Sequence, residues 1–284
     1  MKVVKGPARI RALAVPFLLA LLVCSSLYCL SCRGRETSPS GGEGGDGLPR
    51  DKGDGGNGAR FTFLLCGDPH SRTDLLRGIV DQAREGEFLV ILGDISTGKG
   101  LEEMEGMKRF LDSTGITYYA IPGDNDMPRG DASVFRQVFG PDYYSLEVNG
   151  CHLVFLNDAV IGTGCPQEEL EWLEKDLKGV GERLVIAFAH VPPGAPVDIA
   201  SGGFSARETE SNQRMKELLA SAGAQVIYCG HIHAYMVYSF GPPRVVVTGG
   251  AGAKPHLSAE SGGFHHFLRV TVEGGRVSEE VIPL

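Results

Sequence analysis

Five short stretches of the chain place carboxylates and imidazoles where an apolar run gives way to a polar loop. They are Gly67-Asp68-Pro69-His70, Gly93-Asp94, Gly123-Asp124-Asn125-Asp126, His190, and Gly230-His231-Ile232-His233. Singly each is weak, because a Gly-Asp pair is ordinarily a turn and a histidine before Val191-Pro192 is ordinarily a satisfied loop residue. Together, at the ends of five separate apolar runs, they point to one shared site. Mixed aspartate and histidine donors without a thiolate cluster suit Mn, Fe, Zn or a similar divalent metal better than calcium or an iron–sulfur centre. The chemistry such a donor set offers is metal-assisted hydrolysis.

Asp68 and His233 are about 165 residues apart, so they meet only if the elements carrying them end at one place. From Arg60 onward, apolar β-rich runs alternate with segments of helical period, which is the pattern of an α/β sandwich. Strands are predicted at Phe61 to Cys66, Phe88 to Leu92, Ile116 to Ile121, Tyr144 to Val148, His152 to Leu156, Leu184 to Phe188, Val226 to Cys229, Met236 to Phe240, Arg244 to Thr248 and Phe267 to Val272. Leu75, Leu76, Ile79, Val80 and Ala83 recur at helical spacing, as do Leu170, Leu173 and Leu177 after Pro166. Strand C-termini of an open α/β sheet share one edge, where ligands bind. About 225 residues, from 60 to 284, suffice for one core.

The ordered set of motifs resembles the calcineurin-like metallophosphoesterase family, whose signature is Asp-x-His, Gly-Asp, Gly-Asn-His-Asp or Glu, a lone His, and Gly-His-x-His. The resemblance runs from Phe61 to Gly252. It implies a four-layer αββα sandwich holding two divalent transition-metal ions. Carried over by position, it implies that Asp68, His70, Asp94 and His233 hold one metal, while Asp94 bridges to a second held by Asp124, His190 and His231. It further implies a small phosphate-ester substrate, mono- or diester, cleaved by metal-activated hydroxide with ions about 3.5–4 Å apart, and no protein nucleophile. Asp68, Asp94 and residue 125 are then the catalytic positions.

The third motif departs from that signature. An ungapped alignment puts Asp124 at the usual Asn ligand and Asn125 at the usual His. Asp124 still ligates but brings the ligand charge to −3 with Asp68 and Asp94, which favours less anionic diesters or a trivalent iron. The tyrosine through which purple acid phosphatases hold iron(III) corresponds to Thr97, so a tyrosinate site is not supported. Asn125 cannot give a proton to the leaving group, a contribution worth about 10²–10⁴ in rate. Asp126 or a metal-bound water are substitutes, and a one-residue loop shift would make Asn125 the ligand instead. The alternative function is a catalytically impaired metal-binding scaffold or sensor of the same fold. Gly249 to Gly252 with Lys254 and His256 is expected to form a loop near the cleft, whereas His265 and His266 read as packing or surface residues.

Residues 1–32 have the layout of a signal. Lys2, Lys5, Arg9 and Arg11 precede an uncharged run from Ala12 to Ser31. Ser31-Cys32 resembles a bacterial lipoprotein cleavage site with lipidation at Cys32, a cleaved signal peptide and a retained membrane anchor being the alternatives. Residues 33–59 contain almost no large apolar side chains and read as a Gly-rich disordered linker, leaving 60–284 as the catalytic domain. The expected setting is the cell envelope, exported and tethered through the anchor or lipid, or secreted. The chain carries 27 basic and 35 acidic residues, of which 8 and 5 precede residue 60, leaving 19 and 30 in the body. Such a surface disfavours nucleic acid as a partner. Cys66, Cys151, Cys165 and Cys229 permit a disulfide without demanding one, and Pro192 to Arg207 is the expected selector of substrate.

Overall fold

The structure, a computed structural model, describes residues 60–160, 162–195 and 209–284. The segments 1–32, with Cys32, and 33–59 lie outside them, as does most of Pro192 to Arg207. Along the described chain run β1 (Phe61–Cys66), α1 (Thr73–Val80), β2 (Phe88–Leu92), α2 (Leu101–Thr114), β3 (Tyr118–Ile121), α3 (Ser133–Phe139), β4 (Tyr144–Val148) and β5 (Cys151–Phe155). They are followed by α4 (Gln167–Lys178), β6 (Leu184–Phe188), α5 (Glu210–Ser221), β7 (Val226–Cys229), β8 (Tyr235–Tyr238), β9 (Arg244–Thr248), β10 (His266–Glu273) and β11 (Arg276–Pro283).

The strands form two mixed sheets, ordered β11-β10-β1-β2-β3 and β4-β5-β6-β7-β9-β8. Within the first, β1, β2 and β3 are parallel; within the second, β5, β6, β7 and β9 are parallel. Continuous apolar runs such as FLVIL in β2 are buried along their whole length, as parallel strands covered on both faces require. Phe63, Leu65 and Val90 of the first sheet meet Phe155, Phe188 and Tyr228 of the second in a shared core. On the outer face of the first sheet, Leu64 and Ile91 pack under Leu76 and Ile79 of α1 and Met107 and Leu111 of α2. On the other side, Val154, Val185 and Ile227 pack under Leu170 and Leu173 of α4 and Met215 and Leu219 of α5. The result is a four-layer αββα sandwich, with Tyr235–Tyr238 and Arg244–Thr248 forming the expected antiparallel pair β8–β9.

Besides one-residue shifts at both ends of β5 and β10 and at the start of β8, three features differ from the sequence expectation. The third strand starts at Tyr118, so Ile116 and Thr117 precede it. Strand β8 ends at Tyr238, and Phe240 beyond it is 70% exposed. Beyond the predicted strands, β11 forms an edge of the first sheet, its exposed and half-buried positions alternating from Arg276 to Val281. The four body cysteines are buried free thiols. Among the described residues, no helix is long and apolar enough to cross a membrane.

Candidate metal centre

The parallel strands of both sheets bring their C-terminal ends to one edge, and the five motif stretches occupy the loops there. The first loop is laced to the second by Asp68 N to Gly93 O (3.1 Å), His70 N to Asp94 O (3.0 Å) and Ser71 N to Ile95 O (2.9 Å). Asp68, His70, Ser71, Asp94 and His231 all adopt left-handed backbone, with φ between 44° and 64°, a conformation that costs non-glycine residues energy and that surrounding structure must enforce. Two glycines make the close approach possible. A Cβ on Gly123 would lie 2.2 Å from Asp94 Oδ1, and one on Gly93 would lie 2.7 Å from His190 Nδ1.

Two groups of potential ligand atoms result. Asp68, His70, Asp94 and His233 offer atoms all within 4.8 Å of one another, and so do Asp124, His190 and His231. Asp94 stands between them: Oδ2 is 3.0 Å from His70 Nε2 and Oδ1 is 3.6 Å from His190 Nε2. His233 Nε2 lies 3.4 Å from Asp68 Oδ1. Asp124 Oδ1 is 3.1 Å from both His190 Nε2 and His231 Nδ1. The other ring nitrogens are anchored, His190 Nδ1 donating to Leu92 O (2.7 Å) and His233 Nδ1 to Lys254 O (2.9 Å), which aims each Nε2 into its cluster. The donor set, nitrogen and carboxylate oxygen with no thiolate, fits divalent transition metals.

The electrostatics have the same origin. Burial alone would push His190 down, but the negative charges of Asp94 and Asp68 and the hydrogen bond with Asp124 outweigh it and raise it well above the ordinary imidazole range. Burial opposes ionisation of Asp124, yet His190 and His231 hold it below the usual carboxylate range. Close packing of carboxylates without equal cationic charge is costly, so this geometry favours positive charge at its centre.

Within the third motif, Asp124 joins the cluster and Asn125 does not. The Asn125 side-chain nitrogen donates to Asp94 Oδ2 (2.5 Å) and its backbone N–H to Asp94 Oδ1 (2.9 Å). Asp126 is 1% exposed. It accepts hydrogen bonds from Ile95 N, Ser96 N, Ser96 Oγ and Gly123 N at 2.8–3.1 Å, so it ties the second and third motif loops together and has no face toward the cleft. Burial, with the charge of Asp94, pushes it up to about 6. Thr97 turns to Glu103 (2.7 Å) and not into the cluster.

Several supporting residues escaped the sequence reading. Asp158 accepts from His190 N (2.7 Å) and Val191 N (3.1 Å). Its signal was present, since it too follows an apolar strand. Glu103 on α2 holds Ser71 Oγ, Thr97 N and Lys99 N, a role that nothing local announces. The glycine loop lies where expected, with Ala251 N donating to Gly67 O and Ala253 N to Asp68 O. His256 stacks on His233, ring centroids 3.8 Å apart. His266 is buried, its Nδ1 bonded to Phe264 O, and His265 Nδ1 bonds Gly250 O.

Fold and site define a two-sheet sandwich with adjoining Asp/His clusters at its strand ends. The family model for calcineurin-like phosphoesterases matches residues 61–235, more than half of the chain, and the chain belongs to that family. It is 34% identical over 128 residues to purple acid phosphatase 15 of Arabidopsis thaliana, covering 42% of this chain and 23% of that protein. It is 26% identical over 161 residues to the probable glycerophosphodiester phosphodiesterase GpdQ of Arcobacter nitrofigilis, covering 52% of this chain and 56% of that one. The chain thus spans about a quarter of that plant relative's length and just over half of the bacterial one's. Among solved structures it superposes on purple acid phosphatase PPD1 of yellow lupin with a TM-score of 0.60 and 14% identity, covering 79% of this chain and 52% of that one. It also superposes on GAP50, the anchor in the inner membrane complex of Plasmodium, with a TM-score of 0.55 and 11% identity, covering 79% and 84%. At these identities the structural likeness is one of fold.

Proposed function

We propose that this chain is an exported, membrane-tethered hydrolase of small phosphate esters that works with two divalent transition-metal ions. Asp68, His70, Asp94 and His233 are the ligands of one ion, and Asp124, His190 and His231 together with Asp94 those of the other. The observation that carries this reading is the position of Asp94, one carboxylate oxygen toward each cluster. When bound, such ions lower the pKa of water and neutralise phosphoryl oxygens. The chain's own part is to hold the donors in place, through the Leu92 and Lys254 carbonyls behind His190 and His233, Asp158 behind the His190 backbone and Asn125 behind Asp94.

Family membership supports the reaction class, and the relatives include proteins named as a phosphatase and as a phosphodiesterase. Export and tethering are supported by the basic residues, apolar run and Cys32 of residues 1–32. A second reading, a metal-binding scaffold or sensor without turnover, draws on Asn125 standing where the family resemblance expects a histidine.

The deciding experiment loads the full chain, purified in detergent, with manganese and offers it paired mono- and diester chromogenic substrates while metal content is measured. Two metals with turnover supports the hydrolase; two metals without turnover selects the scaffold; no tightly held metal sinks both. Labelling with a radioactive fatty acid tests the tether, with incorporation expected in the native chain and lost in Cys32→Ser.

A further inference from the structure

Asn125 stands where a proton donor to the leaving group is expected, and the structure commits it elsewhere. Its amide nitrogen contacts Asp94 Oδ2 at 2.5 Å while its backbone N–H contacts Oδ1 at 2.9 Å. The opposite amide orientation would face two oxygens at that separation, so the nitrogen is the group that points at Asp94. Asp126, the neighbouring acid, is buried with its oxygens taken by three backbone N–H groups and the Ser96 hydroxyl.

We infer that Asn125 is a positioning residue for Asp94, and that the chain hydrolyses phosphate esters whose leaving oxygen departs without a proton from residue 125 or 126. The substrate class is therefore esters of acidic hydroxyls, such as phenols and enols, in preference to esters of simple alcohols. In the step, a bond forms between water oxygen and phosphorus as the phosphorus–oxygen ester bond breaks. The electron pair leaves with the ester oxygen, which takes its proton from solvent, and the proton lost by the water is released to solvent. This rests on the hydrolase reading above.

The test uses the full chain in detergent with two manganese ions bound and a series of phosphate esters of graded leaving-group acidity. For the native chain, kcat/KM should fall steeply and continuously as the leaving group becomes less acidic. Asn125→His should flatten that dependence, raising the rate on the poorest leaving groups by up to about 10²-fold, within the range of general-acid assistance. A readout independent of turnover is the Asn125 side-chain amide in the metal-free chain, identified in ¹⁵N spectra by its loss in Asn125→Asp. Slow exchange with solvent is expected, and free exchange would overturn the positioning role. A shallow dependence in the native chain overturns the inference while leaving the hydrolase reading intact, and if His256→Gln makes it steep, the donor is His256. Absence of turnover on every ester with two metals bound overturns the hydrolase reading and this inference with it. Should Asn125→His fail to fold, the native slope and the amide exchange decide alone.

Discussion

Asp94 faces His70 with one oxygen and His190 with the other, at 3.0 and 3.6 Å, whereas His233 belongs to one cluster only. Their substitutions should therefore differ in kind. Asp94→Ala is expected to weaken both metal positions together, and His233→Ala to lower the stoichiometry toward one, as read by elemental analysis after gel filtration. Away from the centre, Glu169 on α4 is fully buried and accepts Asn157 N through Oε1 at 2.8 Å, while Glu169 Oε2 and Asn157 Oδ1 have no hydrogen-bond partner among the described residues. Burial, aided by the charges of Asp158 and Asp142, raises this carboxyl well above the ordinary glutamate range. Because its folded pKa lies above the unfolded one, stability is fully present below the unfolded value and is lost as pH rises toward the folded one. Glu169→Gln keeps the acceptor for Asn157 N and cannot ionise, so its Tm should fall less than that of the native chain across the same rise in pH. An identical fall in both proteins would show that Glu169 ionises freely in the fold.

At the scale of elements, α2 does more than cover the first sheet. Glu103 in its first turn accepts from Ser71 Oγ (2.7 Å), Thr97 N (3.1 Å), Thr97 Oγ1 (2.7 Å) and Lys99 N (2.9 Å), joining the loops that follow β1 and β2. Removing the carboxylate strands these donors, at a cost of roughly 1–3 kcal/mol. Glu103→Ala should lower the urea midpoint accordingly and also weaken metal binding, because Ser71 follows His70 and Thr97 lies three residues past Asp94. Unchanged metal affinity at reduced stability would separate α2 from the site. The β11 edge shows the limit of pattern reading: Glu279 and Glu280 are adjacent, as are Val281 and Ile282, so no apolar alternation marks it, and pairing to β10 along all eight positions is what makes it a strand.

In the core between the two sheets, Phe188 stacks on Phe155 and Tyr228 of its own sheet and meets Phe63 of the other sheet edge-on. Phe188 lies 4.7 Å from Phe155, 5.8 Å from Tyr228 and 5.9 Å from Phe63, ring centre to ring centre, and is fully buried. Phe188→Ala should cost about 3–5 kcal/mol by loss of burial and creation of a cavity, measured by denaturant unfolding. Since His190 follows two residues after Phe188, metal affinity should fall in the same variant. A stability change well under this range would mean the sheets repack. The strand ends and the donor types at each were legible in the sequence, because apolar runs and the residues that close them are local properties of the chain. The sequence also placed Asp124 and Asn125 at the third motif but left open which of the two ligates. Which of them faces the other donors, and the parts played by Asp126, Asp158 and Glu103, depended on contacts between residues far apart in the chain, set by the register of two sheets and by loops bent into left-handed backbone. Local pattern specifies what each strand ends in, while only the packing of the sheets decides what each end faces.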